Sequence, residues 1–248
     1  MKLFVVSDVH GHATAMKEAL KRAGFDPEDP EHLFISCGDL FDRGRENRAV
    51  WLYVDRLKRK VLIRGNHEDN LEKIMNRRRI VSTDVFNGTD LTVEELFGAD
   101  ALVEDGRLYA DHRDIEEIYG FLDSMRNYYE TESYIFVHGW LPIAYGDGGI
   151  VPHADWRNAD REEWASARWL EWHKLYPNRY LEENKTVVCG HRAAAYGSRF
   201  DPDRAPGIHT PFYGKGVIAI DSATIVSGQV NVLVLEDRLL GGRNAINP

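Results

Sequence analysis

Five short apolar runs in this chain each end on residues that can bind a metal or move a proton. "KLFVVS" runs into Asp8 and His10, "HLFIS" into Asp39, and "KVLIRG" into Asn66 and His67. "YIFV" stops at His138, and "KTVVCG" stops at His191. Between the first three runs lie two helical patterns, "ATAMKEALKRAGF", stopped by Gly24, and "RAVWLYVDRLKR". Strands alternating with helices predict a mainly parallel sheet with helices packed on it. Ligands gather outside the carboxyl ends of such strands. Strands sharing one sheet would therefore bring residues as distant as Asp8 and His191 to a single rim.

Such a cluster needs cations. Asp8 and Asp39 facing each other in a partly buried site would repel, and a divalent ion removes that cost. The donors Asp8, His10, Asp39, Asn66, His138 and His191 offer oxygens and imidazole nitrogens without a thiolate. This set suits manganese, iron, zinc or cobalt better than calcium or magnesium cages or sulfur sites. Six protein ligands are too many for one catalytic ion with open positions. They suit two ions, roughly 3.5–4 Å apart, sharing a bridging carboxylate. Asp39, in "SCGDLFDRG", is the expected bridge, and Gly38 lets the backbone come close. Arg43 offers a planar fork matched to phosphate oxygens. Asp42 is placed to hydrogen-bond His67 and fix its tautomer.

The formal net charge of −9 over 248 residues argues against a nucleic-acid duplex as partner. The basic stretches "RLKRK" and "NRRRI" read as solvated faces. Two cysteines, Cys37 and Cys189, make neither a disulfide framework nor a zinc cluster. No run approaches the ~20 apolar residues of a membrane span, and the early turn to polar residues does not suit a signal peptide. A cytoplasmic protein without a membrane partner is expected, its oligomeric state open. Residues 1–248 read as one domain, with the polar, helical stretch 70–130 a candidate cap that contains a loop around "STDVFNGTDLT". The tail, "KGVIAIDSATIVSGQVNVLVLED", reads as two strands joined by a turn.

The ordered set "SDVHGH", "GDLFDRG", "RGNHED", "VHG" and "GH" resembles the calcineurin-like metallophosphoesterases. Its tight "GD-x-x-DRG" and "RGNHE" forms are similar to the phosphoprotein (Ser/Thr) phosphatase branch of bacterial and bacteriophage type. The resemblance implies an α/β fold, a four-layer α/β/β/α sandwich with a dinuclear centre. Asp8, His10 and Asp39 would bind one ion; Asp39, Asn66, His138 and His191 would bind the other. Manganese is the first expectation, with iron, zinc, cobalt or nickel as alternatives. His67, paired with Asp42, would be the general acid, and Arg43 would grip the phosphate. A hydroxide held by the ions would attack phosphorus in line, without a phosphoenzyme.

The substrates implied are phosphoserine or phosphothreonine in proteins, or a small phosphoester. A dinucleoside polyphosphate or other nucleotide is the alternative. A catalytically dead binding protein is a third reading, opposed by the intact set of ligands. The chain also departs from the family pattern. The family's second phosphate-binding arginine has no clear counterpart; Arg168 is preferred to Arg157, the competing reading being a packed helix stripe of Trp164, Arg168, Trp169 and Trp172. Gly139-Trp140 and Arg192-Ala193 stand where many relatives have Ala-Gly and Thr-Pro, which bears on the substrate. His209 and Tyr213, in the added loop 200–216, are candidate substrate contacts, and Trp140 or Tyr213 would stack on a base. Glu68 is read as supporting its turn rather than binding metal.

Overall fold

Leu3, Phe4, Val5 and Val6 are all buried, so the first strand has an apolar neighbour on each face. That arrangement organises the whole molecule. The computed structural model describes residues 1–240 except 104, 147, 148, 177–181 and 183. Residues 241–248 of the expected domain therefore lie outside the described part.

The elements run β1 (Lys2–Val6), α1 (Ala13–Arg22), β2 (His32–Ser36), α2 (Asn47–Asp55), β3 (Lys60–Leu62) and α3 (Asn66–Arg77). Next come α4 (Ser82–Asn87), α5 (Thr89–Phe97) and α6 (His112–Asp123). The second half holds β4 (Tyr129–Glu130), β5 (Tyr134–Phe136), the hairpin β6 (Ile143–Gly146) and β7 (Gly149–Pro152), α7 (Arg161–Ala167) and α8 (Trp172–Leu175). It closes with β8 (Thr186–Cys189), β9 (Phe212–Gly214), β10 (Val217–Ala219), α9 (Thr224–Ser227) and β11 (Leu233–Glu236).

The strands form two main sheets, not the single one the strand pattern suggested. One has the order β11-β1-β2-β3, the other β4-β5-β8-β10-β9. Strands β1, β2 and β3 are mutually parallel, and so are β5, β8 and β10. The period-2 alternation of each strand splits its side chains between two cores. Leu3, Val5, Leu33 and Ile35 meet Phe136, Val188 and Ile218 of the other sheet in a core between the sheets. Phe4, Val6 and Phe34 point outward into a core shared with helices, including Met16, Val50, Leu71, Val93 and Ile118. Val187, Cys189 and Val217 pack outward against Trp156, Trp164 and Trp172. Helices, sheet, sheet and helices make the four layers of an α/β/β/α sandwich.

Two stretches differ from their sequence reading. "STDVFNGTDLT" forms the helices α4 and α5 with Gly88 as the joint, at φ 77°. Most of residues 70–130 is the outer helical layer on the first sheet, and among its described residues only Asn87 lines the central pocket. The two tail strands are not a hairpin. β10 lies in the second sheet, while β11 crosses over to pair antiparallel with β1. The apolar face of each is satisfied by a different core, a choice that local sequence does not carry.

Candidate metal centre and active site

The carboxyl ends of both parallel strand sets open into one pocket of about 250 Å³. Asp8, His10, Asp39, Asn66, His67 and His191 line it, with Arg43 at its edge. His138 lies just beneath, its Nε2 3.2 Å from Asp39 Oδ2. Seven of the nine described non-glycine residues with positive φ sit in the turns of this site: Asp8, His10, Asp39, Asp42, Arg43, His191 and Ala223. Left-handed backbone is unfavourable for such residues, and surrounding structure must hold them there. Gly38 has φ 91°, and a side chain there would meet Gly65 N at 2.7 Å and His138 Nδ1 at 2.8 Å. The turn after β2 can pass between those groups only because that residue has no Cβ.

Histidine orientation gives the strongest sign of cation binding. His138 donates Nδ1–H to the Cys37 carbonyl at 2.8 Å. Its Nε2 then faces Asn66 Oδ1 at 2.8 Å and Asp39 Oδ2 at 3.2 Å, both acceptors. Something positive must sit among these three atoms, a proton or a metal ion. His10 repeats the pattern, donating Nδ1–H to the Phe41 carbonyl at 3.0 Å and turning Nε2 toward Asp8 and Asp39. Backbone carbonyls that fix one ring nitrogen in this way are a recurrent support of metal-binding histidines. His191 Nε2 is buried and has no hydrogen-bond partner among the described residues. Two groups, His10–Asp39–His67 and Asp39–His138–His191, each bring three donor atoms within 4.8 Å of one another, and they share Asp39. Asp39 is common to both groups, and the donors around it suit divalent cations, although both ring nitrogens of His67 are engaged by Asp42 and Arg43.

Electrostatics without cations point the same way. Burial, then the neighbouring Asp221 carboxylate, raises Asp8 well above the usual carboxylate range. Burial also works against ionised Asp39, but His138, His67 and His10 outweigh it and hold its pKa low. Burial disfavours charge on His138 too, yet Asp39 more than offsets it and raises this imidazole to about 9. Burial lowers His191 to about 3, helped by the charge on His138. Buried carboxylates and imidazoles packed this closely thus shift one another's protonation strongly.

His67 is held differently. Its Nδ1–H donates to Asp42 Oδ2 at 2.6 Å, and its Nε2 accepts from Arg43 Nη2 at 3.2 Å. Asp42 is itself fixed by the hydroxyls of Thr89 at 2.7 Å and Thr92 at 2.6 Å, both from α5. Burial alone would lower the His67 pKa; Asp39 and then the bond to Asp42 reverse this and raise it above the ordinary value. Glu68 ties two turns together, accepting N–H groups from Asp39 at 2.9 Å, Leu40 at 2.8 Å and Gly65 at 2.7 Å.

Several expected contacts lie elsewhere. Arg168, expected on the phosphate, lies outside the pocket. It donates Nε–H and Nη2–H to Asp69 at 2.7 and 3.2 Å and Nη1–H to Asn127 at 2.9 Å. Arg157 is bound to Glu130 at 2.7 and 3.0 Å. Trp140 is enclosed in the second sheet's outer core, and neither His209 nor Tyr213 lines the pocket. The pocket wall instead carries Trp169, Arg192, Tyr196 and Asp221. Asp221 ends a sixth apolar run, "GVIAID", and the rule applied to the other five would have found it. Burial raises its pKa to about 6.

A family model described as calcineurin-like phosphoesterase matches residues 1–214. A serine/threonine-protein phosphatase 1 from Salmonella typhimurium (strain LT2) is 36% identical over 66 residues, covering 27% of this chain and 29% of that protein's length. Among solved structures, a putative diadenosine tetraphosphatase superposes with a TM-score of 0.55 at 13% identity, over 97% of this chain and 95% of that one. A protein serine/threonine phosphatase from Saccharomyces cerevisiae superposes with a TM-score of 0.53 at 15% identity, over 99% of this chain and 82% of that one. Fold and sequence agree: the chain belongs to the calcineurin-like phosphoesterases.

Proposed function

We propose that this protein is a metal-dependent phosphomonoesterase acting on phosphoserine and phosphothreonine in proteins. The observation that carries the reading is His67, locked by Asp42 at 2.6 Å with its Nε2 turned into the pocket beside Arg43 and the acid–imidazole cluster. Asp8, His10 and Asp39 would hold one divalent ion, and Asp39, Asn66, His138 and His191 a second, with manganese first among the candidates. When bound, the ions supply Lewis-acid charge on the phosphoryl oxygens and lower the pKa of water. Arg43 releases its bond to His67 and takes up a phosphoryl oxygen. That leaves His67 Nε2 free to carry the proton the leaving alkoxide needs. Asp42 holds the opposite ring nitrogen and supports the charged imidazolium. The two cysteines are buried and unpaired, which accords with a cytoplasmic setting.

A second reading, hydrolysis of a nucleotide such as a dinucleoside polyphosphate, is favoured by Trp169, a residue 47% exposed that lines the pocket. The deciding experiment follows turnover of a phosphoserine peptide and of diadenosine tetraphosphate by metal-stripped protein restored with Mn²⁺. Faster phosphate release from the peptide is expected. Faster cleavage to nucleotides would overturn the protein-phosphatase reading and favour the second.

A further inference from the structure

Arg168 is absent from the pocket, but another guanidinium beyond Arg43 is present there. Arg192 follows His191 in the turn after β8 and lines the same pocket. Its backbone is fixed: the carbonyl accepts the indole N–H of buried Trp172 at 2.8 Å, and the N–H donates to Gly190 O at 2.7 Å. The side chain stays 43% exposed and sets Nη2 2.5 Å from Glu171 Oε1. Its Nε–H is enclosed and has no hydrogen-bond partner among the described residues. A buried donor left unpaired is unfavourable, so this rest position does not satisfy the group it holds. Glu171 also pairs with Lys174 and keeps a cation if Arg192 moves away.

We propose that Arg192 is a second phosphate-holding arm of the pocket, held at rest by Glu171 and transferred to the substrate's phosphoryl oxygens on binding. This rests on the phosphoesterase reading above. A partly exposed ion pair is weak and easily exchanged, whereas a phosphoryl dianion offers a guanidinium two parallel charge-assisted bonds. Glu171 therefore competes with phosphate for one arm, and the carboxylate sets how tightly substrate and product are held. The device belongs to this chain's own departure from the family pattern, an arginine directly after the last ligand histidine.

The test is calorimetric binding of inorganic phosphate to the manganese-loaded protein, with metal content and melting temperature checked for each variant. Arg192→Ala is expected to weaken phosphate about tenfold or more, the usual scale for losing hydrogen bonds to a charged group. Arg192→Lys should recover part of that loss. Glu171→Gln should bind phosphate more tightly than the parent, and the double variant should match Arg192→Ala alone. Unchanged affinity in Arg192→Ala would overturn the arm. Weaker binding in Glu171→Gln would overturn the competition, because a carboxylate that merely positions Arg192 helps phosphate rather than opposing it. Should Arg192→Ala fail to fold, the lysine and glutamine variants give the same decision. If phosphate binding follows this pattern while no phosphoester is turned over, the arm stands and the phosphoesterase reading falls.

Discussion

His67 and His138 show how one residue type takes two roles in one pocket. His138 gives its Nδ1–H to a backbone carbonyl and aims Nε2 at two acceptors, a geometry that calls for a cation. His67 gives its Nδ1–H to a buried carboxylate, which favours a proton-carrying imidazole, while Arg43 donates to its Nε2 and opposes the second proton until that arm moves away. The partner of the remote nitrogen sets the role of the near one. Replacing His67 with asparagine should therefore leave bound metal intact. It should lower turnover of an alkyl phosphoester by a factor on the order of 10²–10⁴, the range for a lost general acid. Elemental analysis and steady-state kinetics check this together. Undiminished turnover on a poor leaving group would take His67 out of that role.

At the scale of elements, the site is built where turns are cross-tied. The turn after β2 carries Asp39 and the turn after β3 carries Asn66 and His67. Glu68, on the first turn of α3, accepts three backbone N–H groups spanning both turns. Glu68→Gln would set an amide donor against one of those N–H groups. The loss should be about 1–3 kcal/mol, the cost of a buried unsatisfied group, and metal affinity should drop with it. Chemical denaturation in the absence of metal reads the first effect, and titration with Mn²⁺ reads the second. A variant as stable as the parent would mean the turns do not depend on this carboxylate. Helix α5 performs the matching task for Asp42 through Thr89 and Thr92. The segment that sequence suggested as a cap thus supports the site from behind.

At the scale of the whole molecule, cation binding at this centre would be linked to folding. Four of the six proposed ligands come from the first sheet's strand ends, and His138 and His191 come from the second's. The metal-free centre keeps a proton on His138, whose pKa rises from an ordinary 6.5 to about 9 in the folded chain. A raised folded pKa means the native state binds that proton more tightly than the unfolded state does. Its contribution is complete below about pH 6.5 and is lost as pH climbs through about 9. The melting temperature of metal-free protein should fall across that window. The affinity for Mn²⁺ should rise across it, because the ion displaces the proton. A metal-free melting temperature that increased from pH 6.5 to 9 would contradict this placement of charge.

Much of the site was legible in sequence because its residues follow directly on apolar runs. A strand that must bury both faces changes abruptly to polar residues only where it leaves the core, so Asp8, Asp39, Asn66, His138 and His191 announce their own location. Asp221 carries the same signal at the end of β10. The pairing of Asp42 with His67 was readable for a similar reason, since each sits a fixed short distance beyond such an end. The assignment of strands to two sheets was not readable, because an apolar strand is equally content against either core. Nor was the fate of the arginines: a guanidinium on a long side chain goes to whichever carboxylate the tertiary fold brings near. Asp69 captures Arg168 from behind the site, and Glu171 holds Arg192 at its wall. Local pattern thus determined which residues stand at strand ends. Which charges reach the pocket was decided by the packing of elements far apart in the chain, because long-range ion pairing leaves no periodic trace in sequence.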